Sequence, residues 1–544
     1  MKRFLALLII LSLTILPVHA SACAPFADVP EDHWAYADIL QAREYGLFNG
    51  KSSTEFGLGG SLSRADFAVL LCRMFSWETV TPETPSFADC TAASWQYPYV
   101  ETALLHGALT ETGLFRPQDP VTREEMAIML VRALGYAQLA ESGYEFDLPF
   151  PDVTENKGYA ALAWQFGLVQ GSLENGQLLF KPDSKAKREE VAVMLLRVYK
   201  RYIAGIDWLH GFYAFSSYNQ IGLTDRMDAV SLGWARLTLD ESGTPWVNTT
   251  SGDNNEWVVP AQPSLALNHF DANGTPYHLN VFCDEAEILD SEASRTAAVS
   301  AIAALADSYS GITMDFETLR ADRKEHYNAF LSALRQALPE DKRLYVCVHP
   351  AVPDDAYYDG YDFKHLGEIC DKVILMAHDY HYTQVPASLL GSAWTDSPLT
   401  PFNKIYYALS AITHPETGVA DRSKIALQIS FGSVAWQVDP SGRLLSPTSY
   451  APVPSTIITR LRQDDTRMGW SEIHRNPYAY YTTQDGSRYR LWYENARSVM
   501  DKVELARMFG INGISLWRLG NIPNYDDSGL EYDIWSTLLS DRQG

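Results

Sequence analysis

The chain has 544 residues, with 43 Lys and Arg against 67 Asp and Glu, which gives a formal net charge of −24. Hydrophobic residues make up 46% and charged residues 20% of the sequence, so a largely disordered or collagen-like protein is excluded and several packed domains are expected. The acidic balance argues against a nucleic-acid binder, because phosphate binding needs a basic surface.

The first residues have the order of a secretory signal peptide, predicted over residues 1–22. A basic pair precedes the apolar run 4–18, and small residues follow it. The run is too short to span a bilayer and no later segment resembles a span, so no membrane-spanning helix is predicted. Cleavage after Ala20 or Ala22 is the default interpretation, but the surrounding residues also resemble a weak lipoprotein box. A lipid anchor at Cys23 is therefore left open.

The cysteines are sparse and show no CxxC spacing, which favours buried free thiols over a disulfide framework or a metal site. They are Cys23, Cys72, Cys90, Cys283, Cys347 and Cys370. No metal or other cofactor is predicted.

Three copies of a Phe-x-Asp signature divide the first two hundred residues into units of about sixty residues, beginning at Phe26, Phe87 and Phe150. In each unit the aspartate precedes a helical pattern that ends near a glycine. A second mark follows as Ser63-Arg64-Ala65-Asp66, Thr122-Arg123-Glu124-Glu125 and Lys187-Arg188-Glu189-Glu190. In the first two copies a hydroxyl residue stands three positions before an acid, which is typical of a helix start. Each unit is therefore predicted to be helix, loop, helix.

This pattern resembles the S-layer homology repeat, with repeats at 24–80, 86–140 and 149–200. The resemblance implies an all-α bundle of three repeats that binds pyruvylated secondary cell-wall polymer in a Gram-positive-type envelope. The third repeat departs from the pattern, since it has Lys187 in place of Ser or Thr and lacks the opening tryptophan.

The repeated arginines, Arg64, Arg123 and Arg188, are the predicted wall-polymer-binding residues. Each begins a helix, where a guanidinium and the helix N-terminus can together bind the carboxylate of a pyruvyl ketal. The alternative is that each arginine only pairs with neighbouring acids.

From about residue 205 to 540, short apolar runs alternate with helical patterns such as Ser294–Ser308 and Glu325–Leu338, which predicts a parallel sheet with crossover helices. Eight strands are predicted: Leu209–Phe215, Ala229–Trp234, His278–Cys283, Gly311–Glu317, Arg343–His349, Val373–His378, Ile425–Phe431 and Gly513–Trp517. The economical closure is a TIM (β/α)8 barrel. The stretch 446–490 is predicted to be a small α+β insertion beside the cleft.

An acidic run in the fourth predicted strand is the candidate chemical centre. Residues two apart on a strand share a face, so Thr313, Asp315 and Glu317 are expected to point into the barrel, with Glu317 at the carboxyl-terminal rim. Two carboxylates this close should have pKa values that move apart, which leaves one of them able to hold a proton as a general acid.

These residues resemble glycoside hydrolase family 18, the chitinase-type barrels, and the branch with spore-cortex and peptidoglycan-processing N-acetylglucosaminidases. Three further motifs follow in family order: Met376-Ala377-His378-Asp379, Trp492-Tyr493-Glu494 and Gly513-Ile514-Ser515-Leu516-Trp517-Arg518-Leu519-Gly520. The family pattern has Asp at the positions of Ser310 and Thr313, and tyrosine at His378.

The resemblance implies substrate-assisted, retaining hydrolysis of β-1,4-linked N-acetylglucosamine glycans, an exception to the two-carboxylate scheme. Glu317 would be acid and then base, and Asp315 would orient the substrate's N-acetyl group. Trp517 would form the floor beneath a sugar ring, and Asp379 and His378 would contact the acetamido group or sugar hydroxyls. Thr313 and Met376 complete the expected substrate-binding set.

The sequence therefore predicts a secreted glycosidase attached to the cell wall or cell surface of a Gram-positive-type bacterium. Peptidoglycan-type glycans are favoured over chitin because of the wall-anchoring repeats. Two alternatives stay open. One is a glycan-binding barrel without catalysis, motivated by Ser310, Thr313 and His378, and the other is a mainly structural envelope protein.

Overall fold

The computed structural model describes residues 25–543 apart from 111–112, 143–145, 215, 253–254, 353–358 and 528. The predicted signal peptide and Cys23 lie outside the described residues. The chain divides into two compact units. One comprises the described residues up to 135 together with 150–154 and 171–197, and the other comprises 136–149, 155–170 and 198 onward. The predicted third repeat contributes to both.

The first unit is built mainly from helices, joined by long loops. They are Tyr36–Glu44, Arg64–Met74, Tyr97–Leu105, Arg123–Ala133 and the start of Arg188–Tyr202. A short antiparallel hairpin pairs Ser172–Glu174 with Gln177–Leu179. The region is therefore not purely helical, and the expectation of an all-α bundle is not confirmed.

The predicted helix starts are present in the first two repeats. The Ser63 hydroxyl accepts from the backbone N–H of Asp66, whose carboxylate accepts in return from the N–H of Ser63, and Thr122 and Glu125 form the same capping box. These pairs satisfy backbone donors that a helix leaves open at its first turn.

The aspartate of each Phe-x-Asp signature holds the loop of its own repeat. Asp28 accepts hydrogen bonds from the backbone N–H groups of Phe56, Gly57 and Leu58 at 2.6–3.0 Å. Asp89 and Asp152 do the same for the loops that begin at Phe115 and Phe180. The signature therefore recurs because a short carboxylate satisfies backbone groups that these loops cannot pair internally.

A ring of three backbone hydrogen bonds joins the repeats. Val121 N–H donates to the carbonyl of Leu62 at 2.9 Å, Ala186 N–H to that of Val121 at 3.1 Å, and Leu62 N–H to that of Ala186 at 3.4 Å. Each repeat thus both donates to one neighbour and accepts from the other, and the ring closes only when all three are present.

The second unit contains a closed barrel of eight parallel strands. The strands are Trp208–Tyr213, Ala229–Leu239, Tyr277–Cys283, Gly311–Phe316, Arg343–Val348, Lys372–Leu375, Ile425–Ser430 and Gly513–Trp517. All eight predicted strands are confirmed, and the second is longer than predicted because its end pairs with an antiparallel strand, Pro245–Asn248. Phe215, the last residue predicted for the first strand, lies outside the described residues.

Helices follow the barrel strands in alternation, as expected for a (β/α)8 barrel. They are the 3-10 helix Ser217–Arg226 and the α-helices Ser264–Asn273, Glu292–Ala303, Lys324–Ala337, Phe363–Ile369, Phe402–Ile412, Ala496–Met508 and Ile534–Gln543. Two more helices, Ala137–Ala140 and Lys157–Gln165, belong to this unit although they precede the barrel in the chain. Gln165 donates from Nε2 to Ser410 Oγ at 3.0 Å, and Phe166 packs edge-on against Phe509.

The lobe after the seventh strand is a four-stranded antiparallel sheet with one helix, Pro454–Leu461. Its strands are Val434–Val438, Arg467–Ser471, Asn476–Thr482 and Arg488–Trp492. The lobe is α+β as predicted, but its first strand begins before residue 446, because Val434–Val438 pairs with Arg488–Trp492 at the far end of the insertion.

A chain of polar side chains runs through the barrel interior. His210 Nδ1 lies 2.9 Å from Ser515 Oγ and its Nε2 lies 2.8 Å from Ser231 Oγ, which in turn lies 2.6 Å from Thr313 Oγ1. All four residues are buried. The chain lets polar groups occupy the barrel core because each finds a partner there.

Within the described residues, no helix combines the length and apolarity needed to cross a membrane. The five cysteines that the structure describes are buried and form no disulfide, so the prediction of free thiols is confirmed for them.

A buried ion pair fixes the chain after the last lobe strand. Glu494 is buried and accepts from Lys502 Nζ at 2.6 Å and from Asn476 Nδ2 at 2.9 Å. The Trp492-Tyr493-Glu494 motif is therefore structural here, since it lines no part of the cleft described below.

We expect Lys502→Met to destabilise the second unit by about 3–5 kcal/mol, because it leaves the Glu494 carboxylate buried without its counter-charge. Denaturant unfolding followed by tryptophan fluorescence measures the effect. Lys364→Met, on an exposed helical position, is the matched control, and adding Glu494→Gln to Lys502→Met should recover much of the loss. Equal stability of Lys502→Met and Lys364→Met would contradict the structural role.

Candidate active site

The fourth barrel strand delivers two acidic side chains to the carboxyl-terminal mouth of the barrel. Asp315 lies within the strand and is only 3% exposed, whereas Glu317 directly follows the strand end and its side chain is 34% exposed. The backbone N–H of Glu317 donates to the carbonyl of Cys283 on the third strand, which fixes its position. One carboxyl group is thus enclosed and the other open to the cleft.

Burial raises the pKa of Asp315 to about 8, and the negative charge of Glu317 adds to the shift. The Asn280 amide, His378 and the Cys347 thiol act in the opposite direction. At neutral pH the enclosed Asp315 therefore holds a proton, as expected for one carboxyl group of the pair.

Glu317 has a histidine beside it. His349 follows the fifth strand, and its Nε2 lies 3.5 Å from Glu317 Oε2. The His349 side chain is 16% exposed and lines the same cleft. At this distance a protonated His349 ring forms an ion pair with the Glu317 carboxylate.

His378 and Asp379 follow the sixth strand, where they pair with each other. His378 Nδ1 lies 2.9 Å from Asp379 Oδ2, and His378 Nε2 lies 2.5 Å from the side-chain oxygen of Gln428 on the seventh strand. Both ring nitrogens are thus bound by protein groups, and the contact of His378 with an acetamido group or sugar hydroxyl stays a prediction.

The acidic pair opens into a cleft of about 300 Å³ at the mouth of the barrel. Aromatic side chains form one wall. The rings of Phe212 and Trp517 are 5.2 Å apart, and Trp257 lies 6.3 Å from Trp517 while stacking on Phe282 at 4.8 Å. An apolar wall facing carboxylates is suited to a pyranose ring, which has apolar faces and polar edges.

The predicted site residues fall into two groups. Asp315, Glu317, Met376, His378, Asp379 and Trp517 all line the cleft. Thr313 does not, because it is fully buried below the cleft and its hydroxyl is bonded to Ser231. The expectation that Thr313 binds substrate is therefore wrong in position: it belongs to the polar chain of the barrel interior.

Among the cleft residues that were not identified from the sequence are His349, Gln428 and Trp257. The first two come from the fifth and seventh strands, where no contiguous motif marks them. Trp257 comes from a long loop and fits because Gly233 has no side chain, since a Cβ there would approach the Trp257 ring to 2.9 Å. His349 could have been found as a lone polar residue ending an apolar strand.

The tryptophans Trp234 and Trp436 are buried in the packing, and Trp394 lies against Trp436. None of these three lines the cleft. Among the described residues, no group of three or more His, Cys, Asp or Glu side chains is arranged to hold a metal ion.

The repeated arginines of the first unit each hold the loop of another repeat. The Nε atoms of Arg64, Arg123 and Arg188 donate at 2.7–2.9 Å to the carbonyls of Phe115, Phe180 and Phe56. These bonds connect first repeat to second, second to third, and third to first. The arginines therefore have a structural role whatever else they bind.

The arginines differ at their terminal nitrogens. Arg64 Nη1 forms an ion pair with Glu125 at 2.5 Å, and Glu125 is shared with Arg116 at 2.7 Å. Arg123 and Arg188 have acids nearby but no ion pair within 4 Å among the described residues. Burial lowers the pKa of all three guanidinium groups, without removing their charge at neutral pH.

Both the barrel and the repeats of the first unit match known protein families. The model of "Glycosyl hydrolases family 18" matches residues 286–521, and that of the "S-layer homology domain" matches residues 25–68 and 86–127. The chain carries a family 18 glycosyl hydrolase domain behind two S-layer homology segments. Glycosidase is the enzyme class of this domain, and the S-layer homology segments are typical of bacterial cell-surface proteins.

Each similar curated protein matches only part of this chain. The cortical fragment-lytic enzyme of Bacillus subtilis (strain 168) is 26% identical over 214 residues, 38% of this chain and 46% of that protein. An endoglucanase of Bacillus sp. (strain KSM-635) is 30% identical over 224 residues, 41% of this chain and 23% of that protein. The chain thus spans less than half the length of these curated relatives.

The fold of the family 18 domain is found in a solved structure. The spore cortex-lytic enzyme of Bacillus cereus superposes with a TM-score of 0.50 at 17% identity, over 70% of this chain and 81% of that one. At this identity the likeness concerns the fold alone.

We expect Asp315→Asn to raise the melting temperature at pH 7–8, with a gain that shrinks towards pH 4. The native pKa of about 8 lies above the unfolded value of 3.8, so the native state must retain a proton that the unfolded state has released between these pH values. This costs stability, on the order of 1–4 kcal/mol at pH 7, and the amide removes the cost.

Thermal unfolding of wild type and Asp315→Asn across pH 4–8 measures this effect. Asp322→Asn, an exposed change of the same kind, is the control and should show no pH-dependent gain. A gain for Asp315→Asn that is equal at all pH values would contradict the raised pKa.

Proposed function

We propose that the protein is a cell-surface glycosidase that hydrolyses β-1,4-linked N-acetylglucosamine glycans with retention, by a substrate-assisted mechanism. The observation that carries this proposal is that the partly exposed Glu317, the enclosed Asp315 and Trp517 line one cleft at the mouth of the barrel. A glycan-binding protein has no need of an acid at the rim with a second, proton-holding carboxyl group beneath it.

In the first step, Glu317 donates a proton to the glycosidic oxygen and the bond from that oxygen to the anomeric carbon breaks. The carbonyl oxygen of the substrate's own acetamido group bonds to the same carbon, so no enzyme nucleophile is needed. Asp315, in the same cleft, accepts a hydrogen bond from the acetamido N–H. This bond orients the acetamido group and stabilises it while its carbonyl oxygen attacks. Trp517 packs against the sugar ring.

In the second step, the Glu317 carboxylate takes a proton from water, whose oxygen attacks the anomeric carbon and displaces the acetamido oxygen. Two inversions give net retention, and Glu317 is again protonated for the next cycle.

The S-layer homology segments support attachment to the cell wall, and hence a peptidoglycan-type substrate ahead of chitin. The similarity to the cortical fragment-lytic enzyme of Bacillus subtilis supports the same substrate class. The polymer proposed for the first unit is pyruvylated secondary cell-wall polymer, whose carboxylate would bind the terminal nitrogens of Arg123 and Arg188. Arg64 is the weaker candidate because Glu125 already occupies it.

We expect Glu317→Gln to lower the hydrolysis rate by at least about 10²-fold, because the amide keeps the shape of the side chain but cannot donate and recover a proton. The measurement is release of reducing ends from N-acetylglucosamine oligomers and from purified peptidoglycan, with products identified by mass. Glu325→Gln, on the exposed start of the next helix, is the control.

Wild-type cleavage that Glu317→Gln abolishes and Glu325→Gln leaves intact would support the proposal. If the wild-type protein binds the oligomers without cleaving them, the alternative of a glycan-binding barrel is favoured. That alternative is suggested by Ser310, Thr313 and His378, which differ from the family pattern.

For wall attachment, we expect Arg123→Ala and Arg188→Ala to weaken binding to isolated cell walls by about tenfold or more, since each removes a charge-assisted contact. All three substitutions should lower the melting temperature, because each removes an Nε hydrogen bond to a neighbouring loop, but Arg64→Ala should cause the smaller loss of binding. Co-sedimentation with walls before and after hydrofluoric acid removal of the secondary polymer measures this. Arg73→Ala, an exposed arginine on the same helix as Arg64, is the control.

Equal binding to intact and stripped walls would contradict a role for the polymer. Walls from bacteria that do not pyruvylate the polymer test the carboxylate itself.

A further inference from the structure

The sixth and seventh barrel strands place a histidine between two oxygen atoms. His378 Nδ1 lies 2.9 Å from Asp379 Oδ2, and Nε2 lies 2.5 Å from Gln428 Oε1. The His378 side chain is 8% exposed and Gln428 is buried. The ring is therefore held by the buried Gln428 on one side and by Asp379, whose side chain is 54% exposed, on the other.

Both partners of the ring are acceptors. A carboxylate oxygen and an amide oxygen have no hydrogen to give, so each short contact requires a hydrogen on the facing ring nitrogen. A histidine with hydrogens on both nitrogens is an imidazolium with one positive charge. With the Gln428 oxygen facing Nε2, the two contacts thus require the charged form of His378.

The charges around His378 agree with this form. Asp379 lies against Nδ1, and the carboxyl groups of Glu317 and Asp315, from the fourth strand, interact electrostatically with the ring. His381 is a nearby histidine whose positive charge would oppose a charge on His378. Burial lowers the pKa of His378, but Asp379, Gln428 and Glu317 together raise it above its ordinary value. The acids that line the cleft therefore hold the ring positive.

We propose that His378 is a positioning residue whose fixed imidazolium charge stabilises the carboxylate that forms on Glu317 as the proton leaves for the glycosidic oxygen. This inference rests on the proposed function. His378 gives up no proton itself: both hydrogens stay on its ring nitrogens, which donate to Asp379 and Gln428, and the transferred proton comes from Glu317. The interaction is stronger after proton donation than before, which is the condition for accelerating the step.

The inference explains two departures of this chain from the pattern of its family together. The position of His378 has tyrosine in that pattern, and the position of Thr313 has a carboxylate. Relative to the pattern, the site has gained a positive charge and lost a negative one. Both changes act in the same direction on Glu317, since both favour its charged form once the proton has left.

The charge state is tested without reference to activity. Protein labelled with 15N-histidine is titrated by NMR, and the His378 signals are assigned by their loss in His378→Gln. We expect both ring nitrogens to carry hydrogen at pH 7. A neutral ring at pH 7, with Nε2 unprotonated and accepting from a Gln428 amide turned the other way, would overturn the proposal.

The role of His378 in the reaction is tested by substituting its partner Gln428 and, separately, His378 itself. Gln428→Leu removes an acceptor and should move the alkaline limb of the kcat profile to lower pH by about one unit, whereas Gln428→Glu adds a negative charge and should move it to higher pH. His378→Gln, which keeps polar atoms but not the charge, should lower kcat by about tenfold or more with KM changed less than about threefold.

A merely structural role would lower activity in all three variants without opposite shifts of the pH limb. If wild type cleaves but Gln428→Leu and Gln428→Glu leave the limb unmoved, this inference fails and the proposed function stands. If wild type cleaves no N-acetylglucosamine glycan, the proposed function fails, and the catalytic role of His378 fails with it, whatever the NMR shows.

Discussion

The enclosure of one carboxyl group, Asp315, at the mouth of a barrel is the constraint on which the rest of the site depends. A carboxylate there has lost its water, so the surroundings must either keep it protonated or supply a compensating charge. The first solution is visible in the raised pKa of Asp315, and the proposed imidazolium of His378 would supply the second. Glu317, two residues on, escapes the same enclosure, since its side chain is 34% exposed.

The first unit meets a different constraint, which is to give partners to loops that are too long to pair with themselves. Each repeat uses a carboxylate for its own loop, as Asp28 does, and an arginine for the loop of another repeat, as Arg64 does. The arginines are thus both the framework of the unit and its most suitable anion ligands. Any polymer that binds there competes with Glu125 at the first position and meets less competition at Arg123 and Arg188.

The sequence predicts most of the barrel but only part of the site, because strands are local patterns whereas several cleft residues are brought together only by the fold. Parallel strands buried on both faces are continuous apolar runs, so all eight were found with small errors at their ends. Asp315, Glu317 and Trp517 were found because each lies in a contiguous motif. His349 and Gln428 were missed because the barrel closure, and no local pattern, brings them to the cleft. Thr313 was misplaced because alternation gives the face of a residue but not its depth.

The closed ring of backbone hydrogen bonds at Leu62, Val121 and Ala186 has a consequence for how the first unit folds. The backbone N–H of Leu62 finds its partner in the ring only when the chain is present as far as Ala186, so this ring cannot form one repeat at a time. Such a unit is expected to fold as one cooperative block. A chain shortened before Ala186 would leave the first repeat with an open backbone donor.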